Sequence, residues 1–128
     1  MSGIVLIDTS VWVDHFRSRN EELTQLLLND LACCHPMVLA ELACGTPPSP
    51  RGQTLRDLSN LPHVQQASLL EVMAFVEREE IYGLGCGLVD MALLASTLLT
   101  PRASLWTLDK RLFALCDRFG VAYFSQWH

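Results

Sequence analysis

Four acidic residues lie beside or within apolar segments, where an ionised carboxylate is costly. Asp8 directly follows the run Ile-Val-Leu-Ile, and Asp109 follows Leu-Trp-Thr-Leu. Asp90 lies in a nearly all-apolar stretch, and Glu41 lies among Val, Leu and Ala residues. A buried carboxylate must be hydrogen-bonded, paired or bound to a cation, and neither Glu41 nor Asp90 has an obvious basic neighbour in sequence. These four acids are therefore the candidates for a functional site.

A divalent cation would allow these carboxylates to converge. Two unit charges in close contact repel by roughly 4 kcal/mol at a moderate effective dielectric, so a bare cluster would be protonated or spread apart. Mg²⁺ and Mn²⁺ prefer hard oxygen ligands and are held by a few carboxylates together with substrate phosphate. The acids therefore suggest a metal-dependent reaction at a phosphate group.

The charge balance is compatible with such a site. The chain has 14 acidic and 9 basic residues, a formal charge of −5, so its surface as a whole lacks the basic footprint expected for duplex DNA or an anionic membrane. Setting the four candidate acids aside leaves ten acids against nine bases. Most of the excess negative charge would then belong to one pocket, and a bound cation would let that pocket attract a phosphodiester.

The elements that must position the acids alternate between strands and helices. The apolar run 4–7 predicts a strand buried on both faces, as in parallel sheets. Further strands are predicted over 31–34, 61–65, 104–107 and 121–124, and helices over 11–16, 21–29, 36–45, 51–60, 68–82, 88–99 and 109–118. This alternation indicates an α/β domain. In open α/β sheets functional groups gather beyond the carboxyl ends of strands, which is where Asp8 and Asp109 fall.

Length and composition predict one globular domain over residues 1–128. The chain is 50% hydrophobic and 18% charged, which predicts a single core and excludes intrinsic disorder. The longest apolar stretch, 88–99, has about 12 residues where a membrane-spanning helix needs ~20, so it is predicted to be a core helix. Five cysteines, two of them adjacent, and the lack of a signal-peptide pattern favour reduced thiols in the cytoplasm. Their spacing does not match a zinc site.

Four segments resemble the successive motifs of PIN-domain ribonucleases, and most closely those of the VapC-type toxins of bacterial toxin–antitoxin pairs. The segments are Ile4 to Asp14, Glu41 to Gly45, Gly87 to Asp90 and Leu105 to Leu112. The resemblance extends from residue 4 to about residue 124, with the motifs in the family order. Each motif alone is weakly specific, but together, in a chain of this length, they are fairly specific.

The resemblance implies a three-layer α/β/α fold around a central parallel sheet and an endoribonuclease that depends on Mg²⁺ or Mn²⁺. The residues it assigns to the catalytic and metal site are Asp8, Glu41, Asp90 and Asp109, with Ser10 and Thr107 as supporting hydroxyls. An ion held mainly by Asp8 and Asp90 would activate water for attack on single-stranded or looped RNA, leaving 5′-phosphate and 3′-hydroxyl ends. The resemblance also implies homodimers and a small antitoxin protein that blocks the pocket, while the charge balance and the length of the 88–99 stretch predict no membrane association.

Other hypotheses remain open for the same residues. A carboxylate after a strand, such as Asp8 or Asp109, is often only a helix N-cap. A non-catalytic, protein-binding member of the same fold would be expected to have lost some of the acids, and all four are present. A phosphatase with Asp8 as covalent nucleophile usually has a second Asp two residues later, where this chain has Ser10. The segment 83–87 lacks the spacing of a phosphate-binding loop, so a turn is predicted there.

The helix predicted over 68–82 carries two groups of large side chains. Spacing predicts a core-facing side formed by Leu69, Val72, Met73 and Val76. Phe75 and Tyr82 are seven residues apart and are predicted to point away from the core. Such aromatics indicate either a partner surface or exposed rings covered by a neighbouring loop.

Overall fold

A computed structural model describes residues 3–126; residues 1–2 and 127–128 of the predicted domain lie outside the described part. Its sheet has three parallel strands in the order β2-β1-β3, namely β1 (Ile4–Ile7), β2 (Ala32–Cys33) and β3 (Ala103–Trp106). Val5 of β1 pairs with Ala32 on one side and Ser104 on the other. Val5, Leu6 and Ile7 are buried, as predicted for a central strand covered on both faces.

Helices flank this sheet on both faces. In the described part of the chain they are α1 (Thr9–Arg17), α2 (Glu21–Leu28), α3 (Pro36–Cys44), α4 (Arg51–Ser59), α5 (Leu69–Glu79), α6 (Leu88–Leu99) and α7 (Lys110–Arg118). Parallel crossovers are right-handed, so the connection from β1 to β2 and the one running back to β3 lie on opposite faces of the sheet. The expected three-layer α/β/α PIN-like fold is thereby confirmed. None of the helices within residues 3–126 is both long and apolar enough to span a membrane.

Two predicted strands are reduced to single bridges at the sheet edges. His63 pairs with Cys34 and Ala122 pairs with Leu105, both in parallel. Pro62 has no backbone N–H to extend the first pairing. The pairing of Ala122 with Leu105 ends because Glu22 accepts hydrogen bonds from the hydroxyls of Tyr123 and Ser125. These bonds hold the chain against α2. The strands predicted over 61–65 and 121–124 are therefore present only as these bridges.

The orientation predicted for α5 was wrong in part, because Val72 and Val76 pack in the core as predicted but Leu69, Met73 and Phe75 do not follow the prediction. Phe75 is buried with Val72, and its ring packs 5.3 Å from that of Phe119, whereas Leu69 and Met73 are exposed. The helix is covered by α6 and by the end of α7 together, and burying the phenyl ring there removes more apolar surface from water than burying either aliphatic side chain. Tyr82 is exposed as predicted.

A buried histidine fixes the start of α3. His35 is 2% exposed, and its Nδ1 accepts a hydrogen bond from the backbone N–H of Met37 at 3.0 Å. Its Nε2 lies 3.2 Å from the Ser96 hydroxyl oxygen, which also accepts from the N–H of Ala67. Burial, and next the charge of His63, lower the pKa of His35. The neutral ring is thus the form that the fold requires.

The unfolding free energy is expected to fall as the pH drops below about 6.5, the pKa of histidine in an unfolded chain. Below that pH the unfolded chain binds a proton at this histidine, whereas folded His35 binds it only at a lower pH. The unfolding free energy therefore decreases as the pH falls from 6.5 to the pKa of folded His35, by at most about 1.4 kcal/mol per pH unit. Urea unfolding at pH 7.5 and 5.5 measures this loss. His35→Asn keeps an N-cap without titrating, so it should lose less between the two pH values. An equal loss in both proteins would contradict the assignment.

Candidate active site

Asp8 is held at the point where the chain leaves the central strand. It is 6% exposed and caps α1, with Oδ1 accepting from the N–H of Thr9 at 2.8 Å. Its Oδ2 accepts from the hydroxyls of Ser10 and Thr107, both at 2.7 Å. The N-cap hypothesis for Asp8 is therefore correct, and the second carboxylate oxygen has a separate set of partners. The carboxylate cannot rotate without breaking three hydrogen bonds.

The two hydroxyls join the carboxyl ends of β1 and β3. Thr107 is buried directly after β3, and its Oγ1 accepts from the N–H of Asp109 at 3.0 Å. Ser10 Oγ accepts from the N–H of Leu108, also at 3.0 Å. Each hydroxyl donates to Asp8 and accepts from the loop after β3, so both orient the Asp8 carboxylate and that loop at once.

Asp109 caps α7 in the same manner as Asp8 caps α1. Its Oδ1 accepts from the N–H groups of Arg111 and Leu112, both at 2.9 Å. Asp109 is exposed, and within residues 3–126 its Oδ2 accepts no hydrogen bond. One oxygen therefore has a structural role, while the other remains available to a ligand.

Thr9 ties Glu41 to the start of α1. Glu41 is exposed on α3, and its Oε1 accepts from the Thr9 hydroxyl at 2.6 Å. The sequence-based site did not include Thr9. Its place directly after Asp8, at the first position of α1, is the signal that could have identified it. Through this contact Glu41 joins the rim where β1 ends.

Asp90 is half-buried in the first turn of α6, where its Oδ2 accepts a long 3.4 Å hydrogen bond from the N–H of Gly87. Burial raises the pKa of Asp90, the Gly87 bond opposes this, and the charges of Asp8, Asp109 and Glu41 raise it further. This influence agrees with the hydrogen bonds through Thr9 and Thr107, which connect Asp8, Glu41 and Asp109 at the carboxyl ends of β1 and β3.

The donor atoms of this site fit a hard divalent cation. All four acids offer carboxylate oxygens, which suit Mg²⁺ or Mn²⁺ better than zinc. As the side chains stand, no group of three or more acids, histidines or cysteines within residues 3–126 is arranged to hold a metal ion. Asp8 is fixed by its hydrogen bonds, so binding would require movement of the other carboxylates from this arrangement.

The five cysteines are free thiols. Cys33, Cys34 and Cys116 are buried, Cys86 is partly buried and Cys44 is exposed, all without a disulfide. Burial raises the pKa of Cys34 to about 11 and that of Cys116 to about 12. Since the thiolate is the reactive form, these buried thiols are inert at neutral pH.

A positive charge lies on the α7 side of the acids. Gly85 has a positive φ of 89°, and a Cβ added there would lie 2.6 Å from Nη1 of Arg111. The absence of a side chain at Gly85 therefore lets the Arg111 side chain pack against the segment 83–87. Next to it, burial and the charges of Asp90 and Asp109 raise the pKa of Cys86, whereas Arg111 lowers it. Arg111 therefore lies against the loop that precedes Asp90, and within residues 3–126 it forms no ion pair.

Comparison with known proteins identifies the family. No family model matches the chain. Two curated relatives, both named Ribonuclease VapC32 and from Mycobacterium tuberculosis strains CDC 1551 / Oshkosh and H37Rv, are each 44% identical to it over 119 residues. The aligned region covers 93% of this chain and 95% of each relative. The chain belongs to the VapC family. The resemblance inferred from the four motifs is confirmed.

Membership of the VapC family favours one of the hypotheses that the sequence left open. The relatives are named as ribonucleases, which supports a nuclease site over an aspartyl phosphatase. The geometry agrees, because Ser10 of this VapC chain donates a hydrogen bond to Asp8 at the position where a phosphatase would place a second acid.

Proposed function

We propose that this VapC protein is a metal-dependent endoribonuclease, the toxin of a toxin–antitoxin pair, which cleaves single-stranded or looped RNA in the cytoplasm. The observation that carries the proposal is that hydrogen bonds through Thr9 and Thr107 connect Asp8, Glu41 and Asp109 at the carboxyl ends of β1 and β3. Carboxylates grouped in this way at the carboxyl ends of strands require a counter-charge, and a divalent cation with substrate phosphate supplies one. The names of the relatives support RNA as the substrate.

Different side chains of the site would have different roles in the reaction. Asp8, Glu41, Asp90 and Asp109 would hold Mg²⁺ or Mn²⁺, which when bound neutralises phosphate charge and acidifies water. Ser10 and Thr107 pre-orient Asp8, as hydrogen-bonded neighbours of metal-binding carboxylates commonly do. Arg111 lies next to the acids as a cation for the phosphate oxygens.

The direct test is to incubate the purified protein with total RNA and with unstructured oligonucleotides, in Mg²⁺, in Mn²⁺ and in EDTA. Cleavage is expected only with an ion, with 5′-phosphate and 3′-hydroxyl ends at the cut sites. Cleavage of equal rate in EDTA would exclude metal dependence, and intact RNA under every ion would exclude the nuclease function.

We further propose a homodimer, together with a small antitoxin whose binding blocks the acidic pocket. The first turns of α5 expose three large apolar side chains, Leu69, Leu70 and Met73, each more than half accessible to solvent. Such a patch is typical of a protein interface. Co-purification with the product of a small neighbouring reading frame would test the antitoxin proposal.

Met73→Glu is expected to reduce the mass measured by light scattering from that of two copies to that of one, because a carboxylate would be buried in the interface. Leu28→Glu is the matched control, since Leu28 on α2 is equally apolar and 72% exposed. If both variants stay dimeric, the α5 surface is not the interface. A single-copy mass for the wild type would overturn the dimer itself.

A further inference from the structure

A pocket of about 510 Å³ opens directly beside the acidic site. Thr107, whose hydroxyl donates to Asp8, and Leu108 form the wall nearest the acids. Trp106, Phe113, Tyr123 and Phe124 also line this cavity, which we call the aromatic pocket. Its size is that of sites for small organic ligands, roughly 300–1,000 Å³. A ligand in it would adjoin a phosphate held at the acids.

The aromatic side chains form a floor and a wall. Trp106 is buried and packs against Tyr123, with ring centroids 5.0 Å apart. Phe124 is 62% exposed, and its ring meets that of Phe113 edge to face at 5.4 Å. An exposed phenyl ring held by its neighbour presents a flat apolar surface in a defined position. Such a surface is suited to stacking with a planar ring.

The wall is fixed in place by Glu22 of α2. The carboxylate of Glu22 accepts hydrogen bonds from the Tyr123 hydroxyl, from Ser125 Oγ at 2.7 Å and from the N–H of Gln126 at 3.0 Å. Burial, and next these interactions with Glu22, raise the pKa of Tyr123. The segment that carries Phe124 is therefore anchored on both sides of the ring, and the aromatic pocket exists before any ligand binds.

Charged side chains of opposite sign mark the rim. Lys110 is exposed at the start of α7, and Asp14 is exposed on α1, and both line the aromatic pocket. Within residues 3–126 neither side chain forms a hydrogen bond or an ion pair with the protein. A lysine attracts phosphate, and an aspartate accepts from the amino group of a base such as cytosine. The combination matches one nucleotide better than an apolar peptide side chain.

We propose that the aromatic pocket binds one unstacked base of the RNA strand, adjacent to the phosphate that is cut. The base stacks on Phe124, Asp14 accepts a hydrogen bond from its amino group, and Lys110 contacts a neighbouring phosphate. Single-stranded RNA is commonly recognised through bases that stack on aromatic side chains. The pocket would therefore select adenine, cytosine or guanine over uracil, which has no amino group. This inference rests on the proposed ribonuclease function.

The test measures RNA binding without cleavage, using the full chain in EDTA and fluorescently labelled unstructured strands of adenine, cytosine or uracil. Phe124→Ala is expected to weaken binding of the adenine and cytosine strands by about 10-fold, since stacking on an aromatic side chain accounts for such a factor per base. Asp14→Ala, which has no acceptor for a base amino group, is expected to remove the preference over uracil. Tyr82→Ala is the matched control, because Tyr82 is 58% exposed and does not line the pocket. Equal affinities for the wild type and Phe124→Ala would overturn the proposal.

A second arm separates this inference from the proposed function. Wild-type protein with Mn²⁺ and the same strands shows whether RNA is cut at all. If RNA is cut but Phe124→Ala has the same KM and the same cut sites, the aromatic pocket plays no part and the nuclease function stands. If Phe124 governs binding but nothing is cut with any ion, the nuclease function fails and the pocket stands. If Phe124→Ala leaves RNA binding unchanged and weakens only the binding of a protein partner, the pocket is a protein-binding surface and the proposal is overturned.

Discussion

Asp8→Asn is expected to reduce the rate of RNA cleavage by about 100-fold to 1,000-fold, since the ion it helps to hold supplies several kcal/mol of transition-state stabilisation and each ~1.4 kcal/mol is a factor of ten. Asparagine has the same shape, and its amide oxygen still accepts the cap bond from Thr9. The hydroxyls of Ser10 and Thr107 also have lone pairs for the new amide N–H. The fold should therefore persist, and the loss should be chemical.

The measurement is the initial cleavage rate in Mn²⁺, with circular dichroism to verify folding. Asp117→Asn serves as the matched control, because Asp117 is an exposed aspartate on α7 whose side chain takes part in none of the contacts described above. That variant should cleave at the wild-type rate. Wild-type activity in folded Asp8→Asn would show that the acidic site is not the catalytic site.

Removal of divalent cations is expected to lower the midpoint of thermal unfolding by about 10 °C, because a ligand at 100 times its Kd adds about 2.7 kcal/mol to the stability of a domain of this size. The physical reason is the repulsion that Asp90 experiences from Asp8, Glu41 and Asp109 when no cation is present. In EDTA, Asp90→Asn should unfold at a higher temperature than the wild type, since it removes a half-buried charge from that group.

Differential scanning fluorimetry with and without Mn²⁺ tests both statements. The wild type and Asp117→Asn should gain stability when Mn²⁺ is added, whereas Asp90→Asn should gain little. A gain of the same size in all three proteins would mean that the cation binds elsewhere. A lower unfolding temperature of Asp90→Asn in EDTA would mean that the carboxylate stabilises the fold by itself.

Much of the fold could be predicted because local physics dominates at its elements. The apolar β-branched run before Asp8 fits only a strand covered on both faces, and Pro36 and Gly45 mark the ends of α3. The orientation of α5 could not be predicted in the same way. Periodicity gives the angle between side chains of a helix, but α6 and Phe119 decide which of them are buried.

The chemistry of the site was accessible from the sequence, whereas its geometry was not. The residue types named Asp8, Glu41, Asp90 and Asp109 as acids in need of a partner. The sequence already suggested Asp8 and Asp109 as helix caps, but which oxygen of each carboxylate serves the cap follows from hydrogen-bond geometry that only coordinates provide. The hydrogen bond that ties Thr9 to Glu41 likewise joins residues 32 positions apart.

The sequence by itself determined which acids are candidates for the site and where the helices and the three sheet strands lie, because charge, hydropathy and backbone preference are local properties. The tertiary structure alone decided that Asp8, Glu41 and Asp109 are connected through Thr9 and Thr107, and that Glu22 anchors the segment that carries Phe124. Those arrangements depend on contacts between residues far apart in the chain. Local preferences do not specify such contacts, because they form only when the sheet order and the packing of the helices are set.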